Sequence, residues 1–319
     1  MIIDKKSKIY IAGHRGMVGS AIFRRLKDEG YSNLVAKTSS ELDLRNQSDV
    51  YNFMSREKPQ AVIIAAAKVG GILANDRYPY NFLHENLIIQ DNLINSAHLN
   101  SVEKLIFLGS SCIYPKHATQ PMTEKSLLTS ELEPTNQWYA IAKIAGVKQC
   151  EALRKQHNRD YVSLMPTNLY GPGDNFDLET SHVFPAMIRK FDDAKQAGHK
   201  PVTLWGTGQP MREFLYVDDV ADAVHFSLQY SLRHSLYNVG TGKDITIAGL
   251  AKKIQQVTGH KGEILWDRDK PDGTPRKLMD VSRIKKEGWS YSTGLTEGIQ
   301  KTYDWFQNNR SEVREVKFK

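Results

Sequence analysis

A doubly wound α/β fold on a parallel sheet is the class this sequence predicts, and three observations predict it. The chain opens with a short apolar run that leads at once into a glycine-rich turn and a helical pattern. Apolar runs and amphipathic stretches then alternate over roughly 170 residues. The runs are apolar throughout rather than every second residue, as strands buried on both faces are.

The first strand is Lys8 to Ala12, followed by Gly13, Gly16 and Gly19 and by Val18, Ile22 and Leu26 at helical spacing. Strand, glycine turn and helix form the Rossmann dinucleotide-binding arrangement: glycines bring backbone close to a pyrophosphate, and the helix N-terminus offers free N–H groups. The spacing is G-x-x-G-x-x-G rather than G-x-G-x-x-G. The second strand, Asn33 to Lys37, ends in Lys37-Thr38-Ser39-Ser40 with no acid in the run. An acid there would hold the ribose of NAD; Lys37, Ser39 and Arg15 in the glycine loop favour a 2′-phosphate, hence NADP(H).

A helix is expected over Gln47 to Glu57, then a buried strand from Ala61 to Ala65 with Ala66, Ala67 and small residues to Gly71. A long helix follows, about Tyr80 to Asn100, with apolar residues suited to core and to a dimer seam. Lys104 to Leu108 reads as a strand ending in Gly109-Ser110-Ser111-Cys112. Ligands of parallel sheets bind beyond strand carboxyl ends, so reactive side chains belong there. Asn136 opens a helix bearing Tyr139 and Lys143, four apart and on one face. An ammonium beside a phenol favours the phenolate, so this pair suits proton delivery to an alkoxide. Strand Tyr161 to Met165 leads into Pro166, Asn168 and Leu169.

The rhythm changes at Gly173. A helix is expected around Phe184 to Lys195, a strand over Pro201 to Gly206, a helix capped by Asp219 or its neighbour, a strand from Tyr237 and an amphipathic helix over Ile247 to Thr258. We therefore expect a nucleotide-binding domain over 1–172 and a smaller α/β substrate domain over 173–319, with about 213–241 packing back on the first.

The net charge of +7 is spread along the chain and suits anionic small molecules; no zinc pattern, aromatic RNA motif or basic-helix array points to nucleic acid. The longest apolar run, Ala61 to Ala67, is far short of a membrane span. Cys112 and Cys150 have no metal spacing, so no metal is expected and a cytoplasmic setting is. Taken singly, Cys112 reads as a small buried hydrophobe and His182 as structural.

Together, the three glycines, Ser110 and Tyr139-x-x-x-Lys143 resemble the extended short-chain dehydrogenase/reductase superfamily. Ala12 to Ser20, Ala65 to Ile72, Gly109 to Lys116, Pro166 to Pro172, Pro210 to Leu215 and Lys270 to Lys277 resemble its GDP-sugar epimerase-reductases over nearly the whole chain. The resemblance implies an NADPH-dependent enzyme that epimerises C3 and C5 of GDP-4-keto-6-deoxy-D-mannose and reduces C4, working as a homodimer. It implies catalytic roles for Ser110, Cys112, Tyr139, Lys143 and His182. Cofactor contacts would fall to Gly13, Arg15, Gly16, Met17, Val18, Gly19, Lys37, Ser39, Ala65, Ala67, Leu108, Tyr139, Lys143, Pro166, Asn168, Leu169 and His182. Lys190, Trp205, Arg212, Asp272 and Arg276 would hold the nucleotide sugar, with Lys190 where Arg is expected. Other readings are a reductase or epimerase for a related GDP-sugar, of the colitose or 6-deoxy-heptose kind, and a non-catalytic NADP(H) sensor.

Overall fold

Six parallel strands form the central layer of the computed structural model, which describes residues 2–313 except Glu179 and Pro271 (the latter inside the Lys270 to Lys277 segment). They are β1 (Ile9–Ala12), β2 (Leu34–Val35), β3 (Ala61–Ile64), β4 (Lys104–Leu108), β5 (Asp160–Pro166) and, from far along the chain, β9 (Leu236–Val239). Their order is β2-β1-β3-β4-β5-β9 and every pairing is parallel. The chain leaves β1 toward β2 and returns past it to β3, so the sheet's direction of winding reverses between β1 and β3. A crevice forms at such a reversal, beyond the strand carboxyl ends.

Helices cover both faces: α1 (Met17–Asp28), α2 (Gln47–Glu57), α3 (Ile72–Arg77), α4 (Pro79–Leu99), α5 (Gln137–His157) and α7 (Val217–Gln229). Ile9 to Ala12, Ala61 to Ile64 and Leu105 to Phe107 are fully buried between them, which is why those strands carry no polar alternation. Helix α2 starts where the Asn46 side chain accepts the Asp49 amide.

Strand β2 is shorter than the Asn33 to Lys37 run suggested. Thr38-Ser39-Ser40-Glu41 ends it as a capping-box turn, in which the Glu41 carboxylate accepts the Thr38 amide and hydroxyl, each at 2.8 Å.

The remaining chain builds a second layer. Strands β6 (Asn168–Tyr170), β8 (Met211–Tyr216), β10 (Asp244–Thr246) and β12 (Arg276–Lys277) form one sheet; β7 (Val202–Trp205) and β11 (Ile264–Asp267) pair beside it. Helices α6 (Val183–Gln196), α8 (Ile247–Thr258) and α10 (Leu295–Asn308) enclose a second core around Phe184, Phe191, Phe214, Ile254, Ile299 and Phe306; the short α9 (Ser282–Glu287) packs near β9. Helix α8 keeps the predicted bounds, with Thr246 capping the Gly249 amide and Gly259 ending it in a left-handed turn.

The N-cap of α7 is Tyr216, and Asp219 lies in the first turn. Its carboxylate is drawn away to Ser292, accepting both amide and hydroxyl, so it caps a different segment. Among the described residues no helix is long and apolar enough to cross a membrane, and no group of three or more His, Cys, Asp or Glu stands ready for a metal.

Candidate active site

The turn after β1 is made by backbone alone. Gly13 has φ +89°, and a Cβ there would lie 2.6 Å from the Ala66 nitrogen. A Cβ on Gly19 would lie 2.1 Å from the Gly13 carbonyl oxygen. Glycine at both positions lets β1, the turn after β3 and the start of α1 close on one another. Gly16 is the N-cap of α1 and has no side chain to offer, so no side chain caps the first-turn amides beside Met17 and Val18. That donor set and the positive helix end fit a diphosphate.

Arg15 and Ser39 are exposed on this side, and Lys37 lies 3.5 Å from the Glu41 carboxylate. Glu41 is held well below the usual carboxylate range by the Thr38 amide and hydroxyl. Ala65 and Ala67 continue the crevice after β3, the Ala65 amide donating to Ala12 at 3.0 Å. Pro166 closes β5, Leu169 is half-buried against the main core, and Asn168 donates its side-chain amide to the Glu213 carbonyl at 2.8 Å.

Beyond β4, Ser110 accepts the Cys112 amide at 3.3 Å and caps a single 3-10 turn over Ser111–Ile113. This turn presents Cys112, half-buried, toward the start of α5. There the Asn136 side-chain amide donates to the Cys112 sulfur at 3.6 Å.

One turn on, Tyr139 and Lys143 share a face, with the Lys143 nitrogen 5.8 Å from the Tyr139 ring centre and 4.7 Å from that of Phe107. Lys143 donates to the Leu108 carbonyl at 2.9 Å. Burial pushes its ammonium down to about 7. Surrounding protein, with Cys112 adding to it, pushes the Tyr139 phenol up. This corrects the expectation that Lys143 eases Tyr139 ionisation: in the protein itself desolvation dominates at Tyr139, and the Lys143 nitrogen, 5.8 Å from the ring centre, does not offset it.

His182 is the N-cap residue of α6, yet its side chain makes no capping bond. His182 is exposed to solvent, and the protein packed beside it lowers the basicity of its ring. The loop before it is stapled. Asp177 accepts the Thr180 amide and hydroxyl, each at 2.8 Å, and Asn175 donates to the Thr180 hydroxyl at 3.0 Å. Across the crevice the Gly71 amide donates to the Thr180 carbonyl at 3.3 Å.

Four of the five residues expected to hold the nucleotide sugar are linked in the second layer. Lys190, eight residues into α6, donates to the Thr203 carbonyl at 3.1 Å, in the strand that ends at Trp205. Trp205 is 52% exposed, with the Lys270 ammonium 5.6 Å above its ring. Asp272 accepts the Thr207 amide and hydroxyl at 2.7 Å each and packs on Gly206. Arg212 donates to the Met211 carbonyl, and Asp272 opposes the burial that lowers its guanidinium. Arg276 is spoken for: its guanidinium fork lies on Asp244, at 2.6 Å and 3.3 Å, so a diphosphate would have to share it.

Residues 9–240 match the model of the NAD dependent epimerase/dehydratase family. The chain belongs to that family. A GDP-L-fucose synthase of Arabidopsis thaliana is 57% identical over 308 residues, covering 96% of this chain and 95% of the relative. The GDP-L-fucose synthase of Escherichia coli (strain K12) is 50% identical, covering 97% and 99%. A GDP-mannoheptose C4 reductase from Campylobacter jejuni, solved with NADP bound, superposes with a TM-score of 0.87 at 36% identity, over 96% of this chain and 99% of that one.

For an epimerase/dehydratase family member, motif reading passed over two groups in the crevice. Asn136 showed in sequence only as a helix start, and its turn toward sulfur depends on how the segment enters α5. Glu41 was readable: Thr38-x-x-Glu41 is a capping-box pattern that marks a turn before any helix.

Proposed function

We propose that this protein converts GDP-4-keto-6-deoxy-D-mannose to GDP-L-fucose, inverting C3 and C5 and then reducing C4 with NADPH. The observation that carries the reading is the arrangement beyond β4, where one acid–base thiol and a Ser–Tyr–Lys set meet beside a glycine cradle. The GDP-L-fucose synthases that match almost end to end support it.

A ketone at C4 acidifies the protons at C3 and C5, because the enolate places charge on the ketone oxygen. Cys112 takes a proton from one face and His182 returns one to the other, a division that general acid–base catalysis requires when a centre is inverted. Ser110 and Tyr139 donate to O4 and hold the enolate charge. NADPH, when bound, supplies the hydride for C4. Tyr139 gives its proton to O4 as the alcohol forms. Lys143 holds the nicotinamide ribose and replaces that proton on the phenol.

The cofactor phosphates rest on Gly13, Gly16, Met17, Val18 and Gly19, with Arg15, Lys37 and Ser39 at the 2′-phosphate. Ala65, Ala67, Leu108, Pro166, Asn168, Leu169 and His182 border the rest. Lys190, Trp205, Arg212, Asp272 and the shared Arg276 take the GDP. The chain would work as a cytoplasmic homodimer through α4 and α5, which expose Tyr80, Leu99, Trp138 and Ile141.

The test is incubation with the fucose precursor and NADPH in deuterated water, with the product read by NMR. Deuterium at both C3 and C5 of GDP-L-fucose is expected. Hydride transfer without exchange would instead make the chain a 4-keto reductase for a related GDP-sugar. Tyr139→Phe should lower NADPH consumption by at least about a hundredfold, the range a positioned acid supplies; unchanged consumption would discredit the assignment.

A further inference from the structure

Asn136 occupies a position that normally ends in a helix cap and does not cap. Where Asn46 and Thr246 cap their helices, the backbone is extended, with ψ of 106° and 150°. At Asn136 the backbone sits at φ −123°, ψ 10°, and no first-turn amide of α5 reaches its side chain. Glu133 holds this bend, accepting the Thr135 amide at 3.0 Å and the Asn136 amide at 3.2 Å. The side chain turns to Cys112, with Nδ2 3.6 Å from the sulfur, and Oδ1 is left buried with no donor.

Two losses are combined here. A forgone cap and an unpaired buried carbonyl each destabilise the folded chain. Native structures keep such groups where they serve a purpose, and each calls for an explanation.

We propose that Asn136 is a positioning residue for Cys112, hydrogen-bonded to its sulfur in both protonation states. This rests on the reading of Cys112 as the base of epimerisation. An amide presents a donor and an acceptor side by side. Nδ2–H donates to the thiolate before proton transfer. The sugar carbon then gives its proton to sulfur, and the C–H electron pair passes into the enolate with its charge on O4. The sulfur is now an S–H donor, and Oδ1 is the acceptor held open for it, reached by a turn of the amide plane. The thiol later releases the proton to solvent. Oδ1 is unpaired because its partner exists only after the proton has moved. Tyr139 on α5 interacts electrostatically with the same cysteine and stays unaltered in every variant.

The experiment compares Asn136→Ser, Asn136→Ala and Cys112→Ser with the parent chain. Solvent deuterium exchange at C3 and C5 of the precursor is measured without NADPH. Hydride transfer to the already epimerised ketone and iodoacetamide alkylation of Cys112 are measured alongside. Serine is a strong N-cap that cannot reach the sulfur, so it rescues a helix-capping role and leaves a thiol role unrescued. In both Asn136 variants exchange should fall about tenfold or more relative to hydride transfer, with slower alkylation, a change worth one charge-assisted hydrogen bond. Parent-like exchange in Asn136→Ser would overturn the proposal, as would unaltered alkylation. Should Asn136→Ala fail to fold, Asn136→Ser carries the test alone. Exchange surviving in Cys112→Ser would instead overturn the reading of Cys112 itself.

Discussion

The Asp174 carboxyl is buried; one oxygen accepts the Asn175 amide at 2.8 Å and the other meets no donor. Burial pushes it up from 3.8 to about 7. Between those values the native chain keeps a proton that the unfolded chain has released, so stability falls as pH rises through the window. A side-chain amide in its place would have no such proton to lose. Asp174→Asn should therefore match the parent at pH ~4 and gain on it by about 1.4 kcal/mol per pH unit until the window closes near pH ~7, read by thermal denaturation. At this scale Tyr139 and Lys143 stood out by their spacing, and Ser110 and Cys112 only through the family resemblance; the structure places all four beyond the end of β4. Sequence reading failed for the direction of the Tyr139 shift, because burial is a property of the whole surroundings and has no local pattern.

Among elements, α1 is the one most constrained by what its first turn must admit. Gly19 faces the Gly13 carbonyl so closely that any Cβ forces the helix away from β1. Gly19→Ala should destabilise the chain by about 1 to 3 kcal/mol through overpacking. It should also weaken NADPH binding by about tenfold or more, since the diphosphate donors move with the helix. Denaturant melts and a fluorescence titration measure the two effects. Elements with strong periodicity or unbroken apolar runs, such as α8 and β3, were legible nearly to the residue. Strand β2 was overextended in sequence because nothing in Ala36 or Lys37 marks its end, whereas the chain leaves the sheet after Val35 and Glu41 ties down Thr38 just beyond.

Across the whole molecule, Glu213 joins the two layers. It is fully buried in β8, and its carboxylate accepts the Gly242 amide at 2.7 Å and the Met279 amide at 2.9 Å. Its backbone carbonyl receives Thr167 and Asn168 from the end of the central sheet. Glu213→Ala would strand buried donors from two separate loops, and we expect a loss of about 3 kcal/mol in urea unfolding. Glu213 lies in the Pro210 to Leu215 segment, but nothing in that segment foretold its bridging role, since its partners lie 29 and 66 positions away.

The route of the chain through β9 has a consequence for ancestry and engineering. Strand β5 has β9 as its outer neighbour, and α1 packs on α7. A cut after Pro172 would therefore remove the last strand of the sheet and uncover one side of the glycine-loop helix. The nucleotide-binding part is not a detachable cassette. Recombination that exchanges parts of the second layer has to swap connecting loops and leave the layer crossings of the chain in place.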